Sequence, residues 1–145
     1  MSDYAPPSTW ADRHVHIGSG RLVRDGDDVL IVTWANGLRL SLEAARQLAA
    51  EGISCRVFDL RWLAPMPVDE VLEHASSVGR ILVVDETRRS GGVGEGVVAG
   101  LVDAGWSGPL TRVAAADSFI PLGDAADLVL VGVDEIVTAV RQLAR

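Results

Sequence analysis

The sequence predicts an α/β fold: a largely parallel sheet with helices on both faces. Uninterrupted apolar runs, such as residues 29–33 and 81–84, are typical of strands buried on both faces. Between such runs lie segments whose apolar residues recur at helical spacing, for example Leu38, Leu42 and Ala45. Strands that alternate with helices favour parallel pairing, because each helix then serves as the crossover to the next strand.

The elements are expected in a regular order. Strands are predicted at residues 20–24, 29–33, 53–60, 81–84 and 110–114, and helices at residues 38–50, 67–75, 93–102 and beyond Asp134. Gly52 is predicted to end the first helix in a left-handed conformation, Pro67 to open the second, and Asp134 to cap the last. Residues 117–127 contain turn-forming residues and are predicted to be an irregular loop.

Size and composition exclude several classes of function. A chain of 145 residues is expected to form one domain. All thirteen basic residues are arginine, so a lysine Schiff base and a P-loop lysine are excluded. The net charge of −7 argues against a nucleic-acid surface and suits a partner with a basic face. The single Cys55 permits no internal disulfide and is expected to be buried and inert.

The amino-terminal segment and the hydropathy pattern bear on organisation and location. Pro6 and Pro7 lie in a stretch with little periodicity, which is interpreted as a linker or arm. There is no signal-peptide core and no long apolar span in the sequence. We therefore expect a cytoplasmic protein that does not contact membranes.

The stretch with the most candidate functional residues follows the fourth predicted strand. Asp85 and Glu86 are expected at the carboxyl end of that strand, where function gathers in open α/β sheets. The glycine-rich turn beyond them contains Gly94-x-Gly96-x-x-Ala99. The spacing among these three residues fits the dinucleotide-binding fingerprint G-x-G-x-x-A. That fingerprint is disfavoured, because its first glycine should follow the strand almost at once and here follows Asp85 by nine positions.

Two other interpretations of the glycine-rich turn stay open. Free N–H groups of residues 91–94 at a helix start would attract an anion, with help from Arg88 and Arg89 and opposition from Glu86 and Glu95. Alternatively, the glycines let the helix pack closely against a neighbouring domain, which is the interpretation we favour.

Several segments, taken in chain order, resemble the C-terminal domain of the transketolase superfamily. These segments are residues 20–34 (GRLVRDGDDVLIVTW), 42–53 (LEAARQLAAEGI), 59–65 (DLRWLAP), 83–95 (VVDETRRSGGVGE) and 117–123 (DSFIPLG). The sequence looks most like the version in the thiamine-diphosphate-dependent decarboxylating component of 2-oxo acid dehydrogenase complexes. One departure is Ala35, which stands where the family usually has glycine.

The resemblance implies a particular architecture. Residues 18–145 would form a three-layer α/β/α domain with a five-stranded mixed sheet, in which the strand at residues 20–24 runs antiparallel to the others. Residues 1–17 would be an amino-terminal arm.

The resemblance also has implications for cofactor binding and for partners. In the superfamily, thiamine diphosphate and Mg are held by other domains, one of which supplies a G-D-G motif with a downstream Asn. Asp25-Gly26-Asp27 has the wrong order for that motif, so this chain is expected to hold no cofactor and to be inactive alone. Its expected partners are the other domains or subunits of the decarboxylating component, a basic domain of the lipoyl acyltransferase, and a second protomer.

The residues proposed to form interfaces with such partners lie mostly after strand ends. They are Asp59, Arg61, Trp62, Glu86, Arg88, Gly91, Gly92, Glu95 and Asp117. For Asp59 and Arg61 the alternative is an ordinary surface ion pair, for Glu86 a solvated loop acid, and for Asp117 a turn former. Two rival functions remain: the equivalent domain of a transketolase or deoxyxylulose-phosphate synthase, and a free-standing anion- or nucleotide-binding module.

Overall fold

The structure, a computed structural model, describes residues 14–145. The linker interpretation of Pro6 and Pro7 lies outside the described residues. Five strands and four α-helices follow one another as β1 (Arg21–Arg24), β2 (Val29–Thr33), α1 (Asn36–Ala49), β3 (Cys55–Asp59), α2 (Val68–Val78), β4 (Ile81–Arg88), α3 (Val93–Asp103), β5 (Leu110–Ala115) and α4 (Val133–Leu143). A 3₁₀ helix, Gly123–Leu128, lies between β5 and α4.

The five strands form one mixed sheet in the order β1-β3-β2-β4-β5. β1 pairs antiparallel with β3, and the other pairs are parallel. This confirms the predicted α/β class and the antiparallel first strand. The chain runs from β2 to β3 on one side and then crosses β2 to reach β4. The connections therefore diverge between β2 and β4, where open α/β sheets place their functional crevice.

Two hydrophobic layers flank the sheet, because side chains alternate between its faces. Val29 and Ile31 of β2 pack with α1 and α4, whereas Leu30 and Val32 pack with α2 and α3. All four are fully buried, and each contributes about 1.5–3 kcal/mol through burial. Cys55 is buried as expected, and desolvation raises the pKa of its thiol to about 11.

Several predicted boundaries were wrong, each for a local reason. α1 begins at Asn36, before the predicted Leu38, because Glu86 binds its first N–H group. β4 continues to Arg88, since β5 pairs with it as far as Ala115 through a register shift. Asp85 and Glu86 therefore lie within the strand and not at its end.

The helix termini also differ from the prediction. Pro67 is the N-cap of α2 and not its first residue. Gly132, not Asp134, caps α4, because the Glu135 carboxylate accepts the Gly132 N–H at 2.8 Å. Gly52 does adopt a left-handed φ of 83°, just after α1, where the Ile53 N–H bonds back to the Leu48 carbonyl at 3.0 Å.

Backbone strain is concentrated at the carboxyl ends of β2 and β3. Ala35 has φ 51° and ψ −131°, a conformation that suits glycine, and Arg61 has φ 58°. Ala35 is the residue that replaces the family's usual glycine. Conformations of this kind cost about 1–3 kcal/mol each.

Ala35→Gly is expected to raise the free energy of unfolding by about 1 kcal/mol, because relief of strain exceeds the added entropy of the unfolded chain. Urea denaturation followed by circular dichroism measures the change. The control is Ala50→Gly, since Ala50 is exposed and has an ordinary φ of −67°; that change should lower stability. Equal destabilisation by both would contradict the strain at Ala35.

Candidate functional site

The predicted site residues fall into two groups along the carboxyl edge of the parallel strands. Six lie in β4, the glycine-rich turn, the first helical turn of α3 and the loop after β5: Glu86, Arg88, Gly91, Gly92, Glu95 and Asp117. Asp85 of β4 lies beside them. The remaining three, Asp59, Arg61 and Trp62, lie at the end of β3, on the other side of β2. The structure therefore does not bring all of the predicted residues into one site.

The first group is built around the fully buried carboxylate of Asp85. Its Oδ1 accepts hydrogen bonds from the Thr87 N–H and hydroxyl, both at 2.8 Å. Its Oδ2 accepts the Gly94 N–H at 2.6 Å. Three donors thus compensate for the burial of this carboxylate and fix the start of α3 against β4.

Gly92 and Gly94 are required by this arrangement. A Cβ atom at Gly92 would lie 2.4 Å from Thr87 Oγ1 and 2.5 Å from the Arg88 carbonyl oxygen. A Cβ atom at Gly94 would lie 2.8 Å from Asp85 Oδ2 and 2.9 Å from Arg112 Cδ. These two glycines therefore serve close packing within this chain.

Glu86 closes the crevice between β2 and β4. Its Oε2 accepts the Asn36 N–H at 3.2 Å, and its Oε1 accepts the Asn36 side-chain amide at 2.6 Å. Glu86 is thus neither a free solvated acid nor available in full to a partner. The start of α1, where an anionic ligand binds in many open α/β proteins, is bound by a carboxylate of this chain.

Two backbone donors of the glycine-rich turn are similarly engaged. The Gly91 N–H donates to Glu95 Oε2 at 3.0 Å, and the Gly94 N–H donates to Asp85. Glu95 also pairs with Arg112 at 3.8 Å, while the Arg88 Nε–H donates to the Ser90 carbonyl at 2.9 Å. Two carboxylates of this chain thus accept N–H groups of the turn, which leaves fewer donors for an anionic ligand.

Asp117 attaches the loop after β5 to the glycine-rich turn. It accepts the Ser90 N–H and the Ser90 hydroxyl, each at 2.7 Å. These hydrogen bonds, the one from the backbone foremost, lower the pKa of the Asp117 carboxyl. The acid therefore shapes the loop in which it lies, and a docking role for it stays a prediction.

The second group is an internal ion pair at the end of β3. The Asp59 carboxylate is buried and accepts the Arg61 N–H at 3.2 Å, with the Arg61 guanidinium 3.7 Å away. Desolvation raises the pKa of Asp59, and the hydrogen bond and charge of Arg61 oppose that shift only in part. Trp62 is half-buried beside them, whereas Trp34 is 9% exposed and belongs to the core.

A set of exposed apolar side chains was not recognised in the sequence. Phe119 is 97% exposed, Leu122 95% and Leu128 86%, with Ile120 close by at 58%. We call residues 117–128 the apolar loop. The sequence does contain a signal for this loop, because its large apolar residues are interspersed with Pro121, Gly123 and acidic residues. Neither a strand nor a helix can bury apolar residues in that pattern.

A groove joins the apolar loop to the glycine-rich turn. Its volume is about 640 Å³. Glu86, Arg88, Gly91 and Gly92 line one side, and Phe119 and Ile120 line the other, so four of the predicted interface residues share one surface. The arrangement offers apolar contact with a polar rim and contains no nucleophile paired with a general base among these residues.

No group of three or more His, Cys, Asp or Glu side chains among residues 14–145 is arranged to hold a metal ion. No helix in the same residues is long and apolar enough to cross a membrane.

The fold and this surface define an α/β domain with an apolar groove at the carboxyl edge of its parallel strands. Residues 18–136 match the family described as transketolase, C-terminal domain. The chain therefore belongs to the transketolase C-terminal domain family, as its sequence motifs predicted.

Curated relatives and a solved structure agree with this assignment. The chain is 33% identical over 131 residues to the pyruvate dehydrogenase E1 component subunit beta of Staphylococcus aureus, covering 88% of this chain and 40% of that protein. It is 30% identical over 132 residues to the Bacillus subtilis subunit of the same name, covering 89% and 41%. This chain thus spans about two fifths of the length of these relatives. A split-gene transketolase, described as an inactive beta4 tetramer, superposes with a TM-score of 0.79 at 30% identity, covering 90% of this chain and 42% of that chain.

A more distant structure shares the fold alone. It is a 2-oxoglutarate:ferredoxin oxidoreductase from Magnetococcus marinus, with a TM-score of 0.60 and 19% identity, covering 95% of this chain and 21% of that one.

Gly94→Ala and Gly96→Ala form a matched pair within α3. Gly94→Ala is expected to lower the free energy of unfolding by about 1–3 kcal/mol, because the new methyl group collides with Asp85 and Arg112. Gly96→Ala is expected to raise it by about 0.5–1 kcal/mol, since no atom lies within 4 Å of the new Cβ. Chemical denaturation of both variants measures the difference; equal effects would refute the packing role of Gly94.

Asp59→Asn is expected to stabilise the chain at pH 7. The raised pKa means that the folded chain binds this proton more tightly than the unfolded chain, so stability declines as pH rises above the ordinary value of 3.8. Asn mimics the protonated form and should remove that decline. Urea titrations between pH 3 and pH 7 should show a gain at pH 7 that disappears at the acidic end.

The control for Asp59→Asn is Asp127→Asn, at an exposed position outside the ion pair. It should change stability little at either pH. An Asp59→Asn variant that is less stable than the wild type at pH 7 would show that the pair with Arg61 outweighs desolvation.

Proposed function

We propose that this chain is the C-terminal structural and docking domain of a 2-oxo acid dehydrogenase decarboxylating component, of the pyruvate or branched-chain type. It supports assembly of the protomers and is not catalytic alone. The parent enzyme releases carbon dioxide from a 2-oxo acid and passes the acyl group to a lipoyl arm. Thiamine diphosphate, with Mg, supplies the carbanion chemistry in domains other than this one.

The observation that carries this proposal is the apolar loop beside its groove. A domain of this size rarely leaves three large apolar side chains almost completely exposed in one loop unless another surface covers them. The backbone N–H groups at the same edge are bound by Asp85, Glu86, Glu95 and Asp117, which favours protein docking over a small anionic ligand. The loop therefore packs on the cofactor-binding domains of the parent enzyme.

The acid residues beside the loop suit the second proposed partner. Asp124 and Asp127 are exposed on the 3₁₀ helix next to Leu122 and Leu128, and the chain as a whole carries a charge of −7. A basic domain of a lipoyl acyltransferase would be steered to such a surface, because complementary charge speeds encounter and sets the register.

The test is to purify the tagged chain from its host together with what it binds. The expected complex releases carbon dioxide from pyruvate or a branched-chain 2-oxo acid when thiamine diphosphate and Mg are supplied, and the purified chain alone releases none. Turnover by the chain alone, or a complex without 2-oxo acid decarboxylation, would overturn the proposal.

Replacing both Phe119 and Leu122 by Ser is expected to weaken recovery of the companion polypeptide about tenfold or more, because exposed apolar anchors dominate interface energy. The stability of the isolated chain should change by less than about 0.5 kcal/mol, since both side chains are exposed. Ile17→Ser is the matched control, because Ile17 is 74% exposed and lies near β1, away from the loop. Quantitative co-purification and urea denaturation give the two readouts.

The equivalent domain of a transketolase or deoxyxylulose-phosphate synthase is the second candidate. The similarity to the split-gene transketolase favours it, at a TM-score of 0.79. The same purified complex distinguishes the two functions: ketol transfer between sugar phosphates, without decarboxylation of 2-oxo acids, would select the transketolase function. Calorimetry with nucleotides and inorganic phosphate tests the remaining rival, a free-standing anion-binding module, and tight binding would favour it.

A further inference from the structure

Ser90 lies at the junction between the glycine-rich turn and the apolar loop. Its N–H group and its hydroxyl both donate to the Asp117 carboxylate, each at 2.7 Å. Asp117 is the first residue of the apolar loop, so these two hydrogen bonds hold that end of the loop against the turn that follows β4. A chemical change at the Ser90 hydroxyl would therefore act directly on the position of the loop.

Positive charge is concentrated around this hydroxyl. Arg88 and Arg89 precede Ser90 directly, and both are exposed. The Arg88 Nε–H donates to the Ser90 carbonyl at 2.9 Å, so the guanidinium lies beside the turn. The hydrogen bonds from Ser90 lower the pKa of Asp117 most, and the charges of Arg89 and Arg88 lower it further. The two arginines that attract this carboxylate would equally attract a phosphate attached to Ser90.

Ser90 differs from the other serines of the chain in sequence and in accessibility. It is the only serine in the sequence that directly follows two arginines, and protein kinases select their substrates through charge patterns of this kind. It is exposed beyond the end of β4 and is followed by Gly91, so the turn can adapt to the cleft of a kinase. By contrast, Ser41 is fully buried, and the hydroxyls of Ser76 and Ser77 donate to carbonyls of α2.

We propose that Ser90 is a phosphorylation site and that its modification releases the apolar loop from the glycine-rich turn. The phosphoryl donor is ATP, and the catalyst is an arginine-directed protein kinase on another chain. The bond between the γ-phosphorus of ATP and the bridging oxygen breaks as a bond from that phosphorus to Ser90 Oγ forms. The hydroxyl proton passes to a base of the kinase, and ADP leaves.

The modification reverses the electrostatics at Asp117. The proton that joins Ser90 Oγ to Asp117 Oδ2 across 2.7 Å is lost, and a phosphate with a charge of about −2 takes its place. Repulsion displaces the carboxylate, while Arg88 and Arg89 pair with the phosphate oxygens. Phe119 then moves with the released loop, which separates the two sides of the groove. This inference rests on the docking role in the proposed function, because it makes docking subject to modification.

Peptide mass spectrometry tests the site of modification. The full chain, treated with ATP and a serine kinase that prefers arginine before its substrate residue, should gain one phosphate on Ser90. Replacing Arg88 and Arg89 by Gln should slow this reaction about tenfold or more. Ser118 is the internal control, because it is also exposed but follows Asp117. The chain purified from its host with phosphatase inhibitors should carry the same phosphopeptide. An unmodified Ser90 in that chain, or equally fast modification of Ser118, would overturn the proposal.

Hydrogen exchange of the phosphorylated chain tests release of the loop without any partner. The amides of residues 116–118 should exchange about tenfold faster after phosphorylation, because this end of the loop loses its hydrogen bonds to Ser90. In Asp117→Asn the phosphate meets no opposing charge, so phosphorylation should change exchange by less than about twofold. An unchanged rate in the wild type, or equal acceleration in both chains, would refute repulsion at Asp117 as the cause of release.

Co-purification then separates this inference from the proposed function. Kinase treatment of the wild type should reduce recovery of the companion polypeptide about tenfold, since the apolar anchors of the loop are displaced. Ser90→Ala is the matched control, because it cannot be phosphorylated, and its recovery should be the same before and after treatment. Equal recovery by the modified and unmodified wild type would refute control of docking by Ser90. An unmodified chain that recovers no companion would instead refute the docking role, whereas the exchange experiment does not depend on that role.

Discussion

The carboxylate of Asp85 is the interaction on which the rest of the carboxyl edge depends. A buried carboxyl group is costly unless several donors surround it, and here the chain supplies three from a single turn and helix start. Those hydrogen bonds hold α3 against β4. They also leave no room for side chains at positions 92 and 94, which explains two glycines that otherwise suggest a ligand-binding loop.

At the starts of three helices, a carboxylate of this chain accepts a backbone N–H group. Glu86 binds the first N–H group of α1, Asp85 binds that of Gly94 in α3, and Glu135 binds that of Gly132 before α4. Helix starts attract negative charge, so each pairing stabilises the fold. The N–H groups of Asn36, Gly94 and Gly132 are therefore engaged by carboxylates of this chain.

Much of this fold was predictable from the sequence, because the buried strands are continuous apolar runs and the helices have clear apolar faces. The antiparallel direction of the first strand was predicted from the family resemblance and not from periodicity. Predicted helix boundaries were wrong where a distant residue determines them. For example, α1 begins at Asn36 because Glu86, fifty positions away, accepts the Asn36 N–H. The hydrogen bonds of Asp117 to Ser90 and of Glu95 to Gly91 could not be predicted for the same reason, because they depend on loop geometry that no local pattern encodes.

Asp59 shows that this domain is not optimised for stability alone. Its carboxylate is desolvated, and the Arg61 guanidinium approaches it only to 3.7 Å and is about half exposed. The backbone of Arg61 is also strained. A hydrophobic or amide side chain at position 59 would avoid the desolvation, yet the acid is present beside an exposed arginine. The acid instead accepts the Arg61 N–H and keeps the guanidinium beside the end of β3, so it holds the strained backbone at this position.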